Sequence, residues 1–174
     1  YATIDTMIEP IQYPGGWKLY LAENIKKAVH VPVFGVGVIH TPELADQAIR
    51  DGKVDFVAIG RELLCEPQWP NKAKAGDRHF PKCIGCNACF ERIGKSLPLR
   101  CAINPLAGRE KHVPEPVCRP ECVAVVGAGP GGITAAVTAK RRGHQVELFE
   151  ETGEVGGQLI LAAAPPRKDK IYDY

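Results

Sequence analysis

The sequence has neither a long apolar run nor a marked excess of one charge. Its 174 residues include 22 Lys and Arg against 20 Asp and Glu, a formal net charge of +2. That excess is too small for the one-sided positive field with which proteins bind nucleic acid backbones. No apolar run approaches the roughly 20 residues of a membrane-spanning helix, and no basic-then-apolar signal segment opens the chain. We therefore expect a soluble, cytoplasmic protein without a nucleic acid partner or a membrane span.

The composition argues against disorder and against a disulfide framework. Hydrophobic residues make up 45% and charged residues 24%, which is typical of a folded globular chain. Glycine (18 residues) and proline (15 residues) are abundant, so turns and loops take a large share of the chain. The seven cysteines are odd in number, and four of them fall within residues 83–101. This pattern favours a metal site in a reducing compartment.

Two strand–helix–strand units are predicted. The first consists of a strand at Val33–Val36, a helix that begins after Thr41 and a strand at Val54–Ile59. The second consists of a strand at Cys122–Val126, a helix at Ile133–Arg142 and a strand at Val146–Glu150. The apolar composition of the strand at 54–59 predicts that both of its faces are covered. From about Gln68 to Pro120 the hydrophobic periodicity fades, and we expect a bound metal centre to hold this stretch together.

Cysteines at a C-x2-C-x2-C spacing form the sharpest motif. Cys83, Cys86 and Cys89 share one tight loop, and Cys101 follows after eleven further residues. Three thiolates on one loop with a distant fourth suit the ligation of a 4Fe-4S cluster. Zinc usually takes two separated C-x2-C pairs, so a zinc site is one alternative and a metal-free loop is another. The remaining cysteines lack a partner set and receive no role: Cys65, Cys118 and Cys122.

A glycine-rich turn joins the strand and the helix of the second unit. Gly127, Gly129 and Gly132 form a G-x-G-x-x-G pattern, which permits a tight turn, the approach of a pyrophosphate and close helix–strand packing. Glu150 ends the next strand about 20 residues on, where a carboxylate can bind the ribose of a dinucleotide. The alternatives for this role are Glu147 and Glu151. A glycine turn that binds no nucleotide is the competing interpretation.

In this order the motifs resemble those of the multi-centre flavin oxidoreductases related to 2,4-dienoyl-CoA reductase, trimethylamine dehydrogenase and enoate reductase. The resemblance covers nearly the whole chain. Besides the cysteine and glycine motifs, it rests on Gly37 after a strand, on Val54–Arg61 and on Cys101–Pro105. It implies an FMN-bearing (β/α)8 barrel, an iron-sulfur segment and an FAD-type dinucleotide domain, in that order.

The resemblance implies an α/β fold class with three segments. Residues 1–76 correspond to the C-terminal part of an FMN-binding TIM barrel, residues 77–117 to the iron-sulfur segment and linker, and residues 118–174 to the N-terminal part of a Rossmann-like FAD/NAD(P)-binding domain. A complete barrel takes roughly 250 residues, and the chain starts without Met. We therefore expect a fragment that lacks the earlier barrel strands.

The resemblance also implies which residues hold each cofactor. The FMN phosphate binds to backbone amides after the last two barrel strands, which correspond to Gly37, Val38, Gly60 and Arg61. For the Arg61 side chain, a surface salt bridge is the alternative role. FAD lies on the glycine turn and its acid, which comprise Gly127, Ala128, Gly129, Pro130, Gly131, Gly132 and Glu150, and a second loop closes over it with Gly157 and Gln158. The cluster ligands are Cys83, Cys86, Cys89 and Cys101.

The activity that the resemblance implies is NAD(P)H-dependent flavin oxidoreduction. Hydride passes from NAD(P)H to FAD, and single electrons pass through the cluster to FMN. The substrate is a small molecule, either an enoate or enoyl-CoA whose activated C=C bond is reduced, or an amine that is oxidised. No residue is assigned as a general acid, and the five histidines are predicted to be surface or loop residues. The rival functions are a stand-alone iron-sulfur electron carrier and a zinc-stapled interaction module.

Overall fold

A computed structural model describes residues 3–112 and 115–171 and divides the chain into two compact units. The first unit comprises residues 1–108 and the second comprises residues 109–174. The segment from Cys83 to Cys101 belongs to the first unit. The division into three segments at residues 76 and 117 stays a prediction. No helix in the described ranges has both the length and the apolar character that crossing a membrane requires.

The first unit alternates short helices with parallel strands. Its helices are α1 (Ile4–Met7), α2 (Leu19–Ala28), α3 (Pro42–Arg50), α4 (Arg61–Cys65), α5 (Trp69–Ala75) and α6 (Ala88–Gly94). Strand β1 (Phe34–Gly35) pairs with β2 (Phe56–Val57), so that Phe34 faces Phe56 and Gly35 faces Val57. Helix α3 connects the two strands, as the parallel orientation requires.

Helix α3 begins where its capping residues predict. The Thr41 hydroxyl accepts a hydrogen bond from the Leu44 N–H at 3.3 Å. Pro42 occupies the first helical position, and Glu43 lies in the first turn. These groups satisfy an otherwise unpaired amide and complement the helix dipole. The predicted start of the helix after Thr41 is therefore confirmed.

Both strands of the first unit are shorter than predicted. Each spans two residues, within the longer stretches that the sequence predicts. The rings of Phe34 and Phe56 stack at a centroid distance of 4.9 Å and are 63% and 50% exposed. The expectation that both faces of the second strand are covered is wrong at Phe56. The half-exposed ring shows that one face of the strand is left partly uncovered at this position among the described residues.

The core of the first unit packs beneath this pair of strands. Its buried members are Leu19, Ile39, Ala45, Ala48, Val54, Trp69 and Phe80. The Trp69 indole N–H donates to the main-chain oxygen of His40 at 3.2 Å, and the ring meets Phe80 edge-on. Gly35 allows strand β1 to approach this core, because a Cβ at its position would lie 2.5 Å from Cγ1 of Val54.

The second unit is built on a longer parallel pair. Strand β3 (Cys122–Val126) pairs with β4 (Gln145–Phe149) along all five residues, helix α7 (Pro130–Arg141) connects them, and α8 (Gln158–Ala163) follows. Short 3-10 helices lie at Glu110–His112 and Asp169–Ile171. The bounds predicted for β3 are confirmed. Helix α7 begins at Pro130 rather than at Ile133, because proline is well suited to the first helical position.

Replacing Gly35 with alanine is expected to destabilise the first unit by about 1–3 kcal/mol, because the new methyl group overpacks the core. The atoms it meets are Cγ1 of Val54 at 2.5 Å and Cδ2 of Leu19 at 2.9 Å. Gly94→Ala is the matched control, since a Cβ there meets no atom within 4 Å. Urea unfolding followed by tryptophan fluorescence measures both variants. Equal midpoints for the two variants would contradict the packing at Gly35.

Candidate functional site

The four cysteines predicted as cluster ligands lie in one neighbourhood of the first unit. Cys83 and Cys86 precede α6, Cys89 lies in its first turn, and Cys101 lies on the loop that follows. Cys86 is exposed, and the other three are half-buried. The fold therefore places the four predicted ligands on α6 and on the two loops that flank it.

Left-handed backbone at two residues turns the loop that carries the first three cysteines. Gly85 has a φ of +68° and Asn87 a φ of +57°. A Cβ at Gly85 would lie 3.0 Å from a backbone nitrogen of a neighbouring segment, so the turn needs glycine there. Backbone N–H groups donate to sulfur, from Gly85 to Cys83 Sγ at 3.5 Å and from Ile103 to Cys101 Sγ at 3.4 Å. Such bonds stabilise thiolates and tune the potentials of iron-sulfur clusters.

The sulfur atoms differ in how readily they lose a proton. A hydrogen bond from Cys65, assisted by the backbone N–H groups of Asn104 and Ile103, lowers the pKa of Cys101 to about 6. Burial raises the pKa of Cys83 to about 11. The contact with Cys101 raises the pKa of Cys65, whose side chain is only 3% exposed. Cys65 is thus a neighbour of the predicted ligand set, which the sequence motif did not reveal.

Within residues 3–112 and 115–171, no three His, Cys, Asp or Glu side chains are grouped as the ligands of one metal ion. All four cysteines are free, and backbone N–H groups donate to the sulfurs of two of them, Cys83 and Cys101. Thiolates with such donors are the chemistry of iron-sulfur ligation. The 4Fe-4S cluster stays a prediction for these residues.

Helix α4 fastens both cysteine loops to the rest of the first unit. Glu62 Oε2 accepts the backbone N–H of Cys83 at 3.0 Å. The main-chain oxygen of Leu64 accepts a hydrogen bond from the Asn104 side chain at 2.9 Å. The loop before α6 and the loop after it are therefore both bonded to a helix of five residues.

The Arg61 side chain also links α4 to the loop that carries the first three cysteines. Its guanidinium donates to the side-chain oxygen of Asn87, to the main-chain oxygen of Glu9, and to Glu9 Oε2 at 3.0 Å. The Arg61 and Glu9 side chains are 21% and 4% exposed, so this is a largely buried pair and not a surface salt bridge. As the first residue of α4, Arg61 keeps a backbone N–H without a partner inside the helix. That amide is the group expected to bind the FMN phosphate.

A cavity of about 530 Å³ joins the predicted phosphate residues to the cysteine loop. It is lined by Gly37, Val38, Gly60 and Arg61, and also by Cys89. Its volume lies within the range of small-molecule and cofactor sites. Gly37 has a φ of +140° and Val38 a φ of +53°. A β-branched residue in the left-handed region is a rare conformation that concentrates at functional loops.

A buried carboxylate adjoins this cavity and was missed by the sequence motifs. Glu62 is 2% exposed, and its Oε2 meets His40 Nδ1 at 2.8 Å. Its Oε1 is buried and has no hydrogen-bond partner in the described part of the chain. A buried polar atom without a partner costs about 1–3 kcal/mol. His40 lies on a loop, as predicted, but its side chain is only 18% exposed because it packs against Glu62.

In the second unit, the glycine turn has the tight geometry that its motif predicts. Gly127 has a φ of +96°. A Cβ at Gly132 would lie 1.8 Å from the main-chain oxygen of Gly127, so α7 packs against the turn with no room for a methyl group. Gly129 and Gly131 have open space around the Cβ position, and Pro130 is the first residue of α7. This open side leaves the backbone accessible to a pyrophosphate.

Glu150 is the candidate acid that contacts the glycine turn. Its Oε2 accepts the N–H of the fully buried Ala128 at 2.6 Å, and its Oε1 accepts from the N–H and the hydroxyl of Thr152. These bonds, above all that from Ala128, hold the pKa of Glu150 below its usual value. The Ala128 amide is therefore already bonded within the turn, and the predicted phosphate contacts fall to the amides of the following glycines.

The second glycine loop packs against the first. The Gly156 N–H donates to the main-chain oxygen of Ala128 at 2.8 Å. Gly157 has a φ of +52°, and a Cβ at its position would lie 3.2 Å from the Cα of Gly129. Gln158 is the first residue of α8 and is exposed. The residues predicted to close over FAD are thus adjacent to the turn predicted to bind it.

Two family profiles match these two units. The profile described as the NADH:flavin oxidoreductase / NADH oxidase family matches residues 1–79, and that described as FAD dependent oxidoreductase matches residues 123–169. The first unit is therefore similar to the NADH:flavin oxidoreductase family, and the second to FAD dependent oxidoreductases. The predicted resemblance is confirmed, and the two matches support FMN and FAD as the cofactors of this family of enzymes.

Curated proteins of the family are similar along almost the whole chain. The NADH oxidase of Thermoanaerobacter brockii is 49% identical over 176 residues, which cover 98% of this chain and 27% of the relative. The cinnamate reductase of Clostridium sporogenes is 38% identical over 157 residues, which cover 87% of this chain and 24% of the relative. The chain therefore spans about a quarter of the length of these two relatives.

Solved structures of the family agree with the fold. Histamine dehydrogenase from Rhizobium sp. 4-9 aligns with a TM-score of 0.88 and 28% identity, over 94% of this chain and 25% of that one. A 2-naphthoyl-CoA reductase aligns with a TM-score of 0.86 and 28% identity, over 94% of this chain and 26% of that one. The predicted α/β fold class, part of a TIM-barrel flavoenzyme with an FAD-type domain, is confirmed.

Replacing Gly132 with alanine is expected to cost the second unit about 3 kcal/mol or more of unfolding free energy, because the new Cβ must displace backbone. Gly131→Ala, one residue earlier on the same helix, meets nothing within 4 Å. It is expected to be neutral or to gain up to about 1 kcal/mol from helix propensity. Hydrogen exchange at the amides of β3 and β4 measures both variants. Equal protection in the two variants would contradict the close packing of turn and helix.

Proposed function

We propose that this chain is the electron-transfer segment of an NAD(P)H-dependent flavin oxidoreductase and that it binds FMN, a 4Fe-4S cluster and FAD. The observation that carries the proposal is the shared cavity, since Gly37, Val38, Gly60 and Arg61 line it together with Cys89. When bound, the flavins supply hydride chemistry and the cluster supplies one-electron transfer. This chain's own residues bind the cofactors and fix their positions.

Each cofactor has its own set of residues in this proposal. The amides of Gly37, Val38, Gly60 and Arg61 hold the FMN phosphate, and Cys83, Cys86, Cys89 and Cys101 ligate the cluster. The turn at residues 127–132 holds FAD together with Glu150, Gly157 and Gln158. The three segments at residues 1–76, 77–117 and 118–174 follow this division. A reducing compartment such as the cytoplasm suits the seven free cysteines.

We further propose a small-molecule substrate with an activated C=C bond, such as an enoate or enoyl-CoA, or an amine. The relatives' names cover both classes, with a cinnamate reductase and a 2-naphthoyl-CoA reductase on one side and a histamine dehydrogenase on the other. No residue of this chain is assigned as the proton donor to the substrate. The roles proposed for residues of this chain are therefore limited to binding the cofactors, and no residue is proposed to contact the substrate.

Replacing Cys86 with serine is expected to abolish the visible iron-sulfur absorption of the anaerobically reconstituted chain, because one of the four sulfur ligands is lost. Cys118→Ser is the matched control, since it removes another exposed cysteine that lies outside the predicted ligand set. The control variant is expected to keep the absorption of the unchanged chain. Iron and sulfide analysis beside the spectrum measures both variants.

The same reconstitution, with FMN and FAD present, separates the rival functions. Iron and sulfide together with a flavin spectrum support the proposed function. Iron without bound flavin favours a stand-alone electron carrier, and zinc in place of iron favours an interaction module. An iron-sulfur spectrum that survives unchanged in Cys86→Ser contradicts the ligand assignment.

A further inference from the structure

Helix α6 has a cavity on each of two faces. Cys89, Phe90 and Ile93 line the cavity of about 530 Å³ that also contains the predicted phosphate residues, here called the first cavity. The second cavity has a volume of about 380 Å³. Its lining includes Ala88, Glu91 and Arg92 of the same helix, together with Lys95, Arg100 and Cys101 from the segment that follows. The 3.6-residue period of a helix places these two sets on opposite faces.

The second cavity has an unbalanced positive charge. Its lining contains three cationic side chains, those of Arg92, Lys95 and Arg100, against the single carboxylate of Glu91. That carboxylate is bonded to Lys95 Nζ at 2.5 Å, and no carboxylate is bonded to either guanidinium in the described part of the chain. The first cavity, by contrast, is lined by as many carboxylates as lysine and arginine side chains. An anion is therefore the ligand that the charge of the second cavity favours.

The turn after α6 folds the chain back to form one wall of the second cavity. The Leu97 N–H donates to the main-chain oxygen of Arg92 at 2.9 Å, and Arg92 Nε donates to the main-chain oxygen of Pro98 at 2.5 Å. The half-buried Arg92 guanidinium is thus fixed between helix and loop, whereas Arg100 is exposed. A guanidinium has five N–H donors in a planar fork that matches a carboxylate or a phosphate. Fixing one donor leaves the others for an anionic ligand.

The second cavity also reaches a predicted cluster ligand. Cys101 lines it, as Cys89 lines the first cavity. A cluster held by these cysteines is accordingly accessible from two cavities, one of which is assigned to FMN. Iron-sulfur clusters transfer single electrons, so a one-electron acceptor is the redox partner that suits the second. The volume of about 380 Å³ lies in the range of small-molecule sites, which favours a small acceptor over a protein surface.

We propose that the second cavity is an exit site at which the reduced 4Fe-4S cluster passes one electron to a small anionic acceptor, of the class of ferric chelates with carboxylate ligands. The inference rests on the proposed function, because the cluster is the donor. The cluster loses one electron and the ferric ion becomes ferrous, without a bond to the protein and without proton transfer. Arg92 and Arg100 bind the carboxylates of the chelate. A reduced flavin reduces the cluster again in the enzyme, and dithionite does so in the test.

Stopped-flow reoxidation of the reconstituted full chain tests this electron transfer. The chain is reduced with dithionite, freed of the excess and mixed with ferric citrate in the absence of flavin. Arg100→Gln is expected to lower the second-order rate constant about threefold, and Lys95→Gln/Arg100→Gln about tenfold, because the anion is attracted less strongly. Salt at about 1 M is expected to remove most of these differences. Arg119→Gln is the matched control, since it removes an exposed arginine outside the cavity.

Two further measurements separate binding from electron transfer. Gallium citrate carries the same ligands as ferric citrate but accepts no electron, so calorimetric titration of the reconstituted chain measures binding alone. Arg100→Gln is expected to raise its Kd about tenfold, because a charge-assisted hydrogen bond is lost, and Arg119→Gln is expected to leave it unchanged. Hexaamminecobalt(III), a cationic one-electron acceptor, is expected to reoxidise the Arg100→Gln variant no more slowly than the unchanged chain.

The outcomes distinguish this inference from the proposed function. An unchanged chain that takes up no iron overturns the proposed function and the inference with it. A loaded chain that ferric citrate reoxidises equally fast with or without the cavity cations overturns the inference alone. The same holds for an equal Kd of gallium citrate in Arg100→Gln and the unchanged chain, and for reoxidation that only an acidic electron-transfer protein achieves. If Arg100→Gln holds no cluster, Lys95→Gln alone decides, and an unchanged rate constant in that variant overturns the inference.

Discussion

The hydrogen bonds of helix α4 are the contacts on which the arrangement of the first unit depends. Glu62 accepts the Cys83 N–H and Leu64 accepts a hydrogen bond from Asn104, so a helix of five residues holds both cysteine loops. The same helix begins at Arg61, which lines the cavity expected to take the FMN phosphate. Arg61, a predicted phosphate residue, and the hydrogen bonds to the two cysteine loops therefore belong to the same helix. The relative position of the two predicted sites depends on this one short element.

Each unit uses a carboxylate to hold a backbone amide of its functional loop. In the first unit Glu62 accepts the Cys83 N–H, and in the second Glu150 accepts the Ala128 N–H. The two acids differ in their surroundings, because Glu62 is buried whereas Glu150 is half-buried and shares its charge with Thr152. A carboxylate that accepts several N–H bonds keeps its charge readily. The same local arrangement, a carboxylate that accepts a loop N–H, therefore holds a turn in each unit.

Local chemistry made part of this structure predictable from sequence. The cap at Thr41 and the bounds of β3 depend on neighbouring residues, and both are confirmed. Helices α5 and α6 lie in the stretch where periodicity fades, because helices of seven residues carry little of a 3.6-residue repeat. The contacts of Glu62 and Cys65 could not be predicted, because they join residues far apart in sequence and belong to no motif. Glu62, for example, lies 21 residues before Cys83.

The stacked rings of Phe34 and Phe56 form the face at which the isolated chain is expected to aggregate at high concentration. They are 63% and 50% exposed on strands that each have one hydrogen-bonded neighbour among the described residues. Unpaired strand edges beside bare aromatic rings are a template on which another copy can pair. Aggregation of the chain is therefore expected to start at this face, and a protein surface that covers the two rings suppresses it.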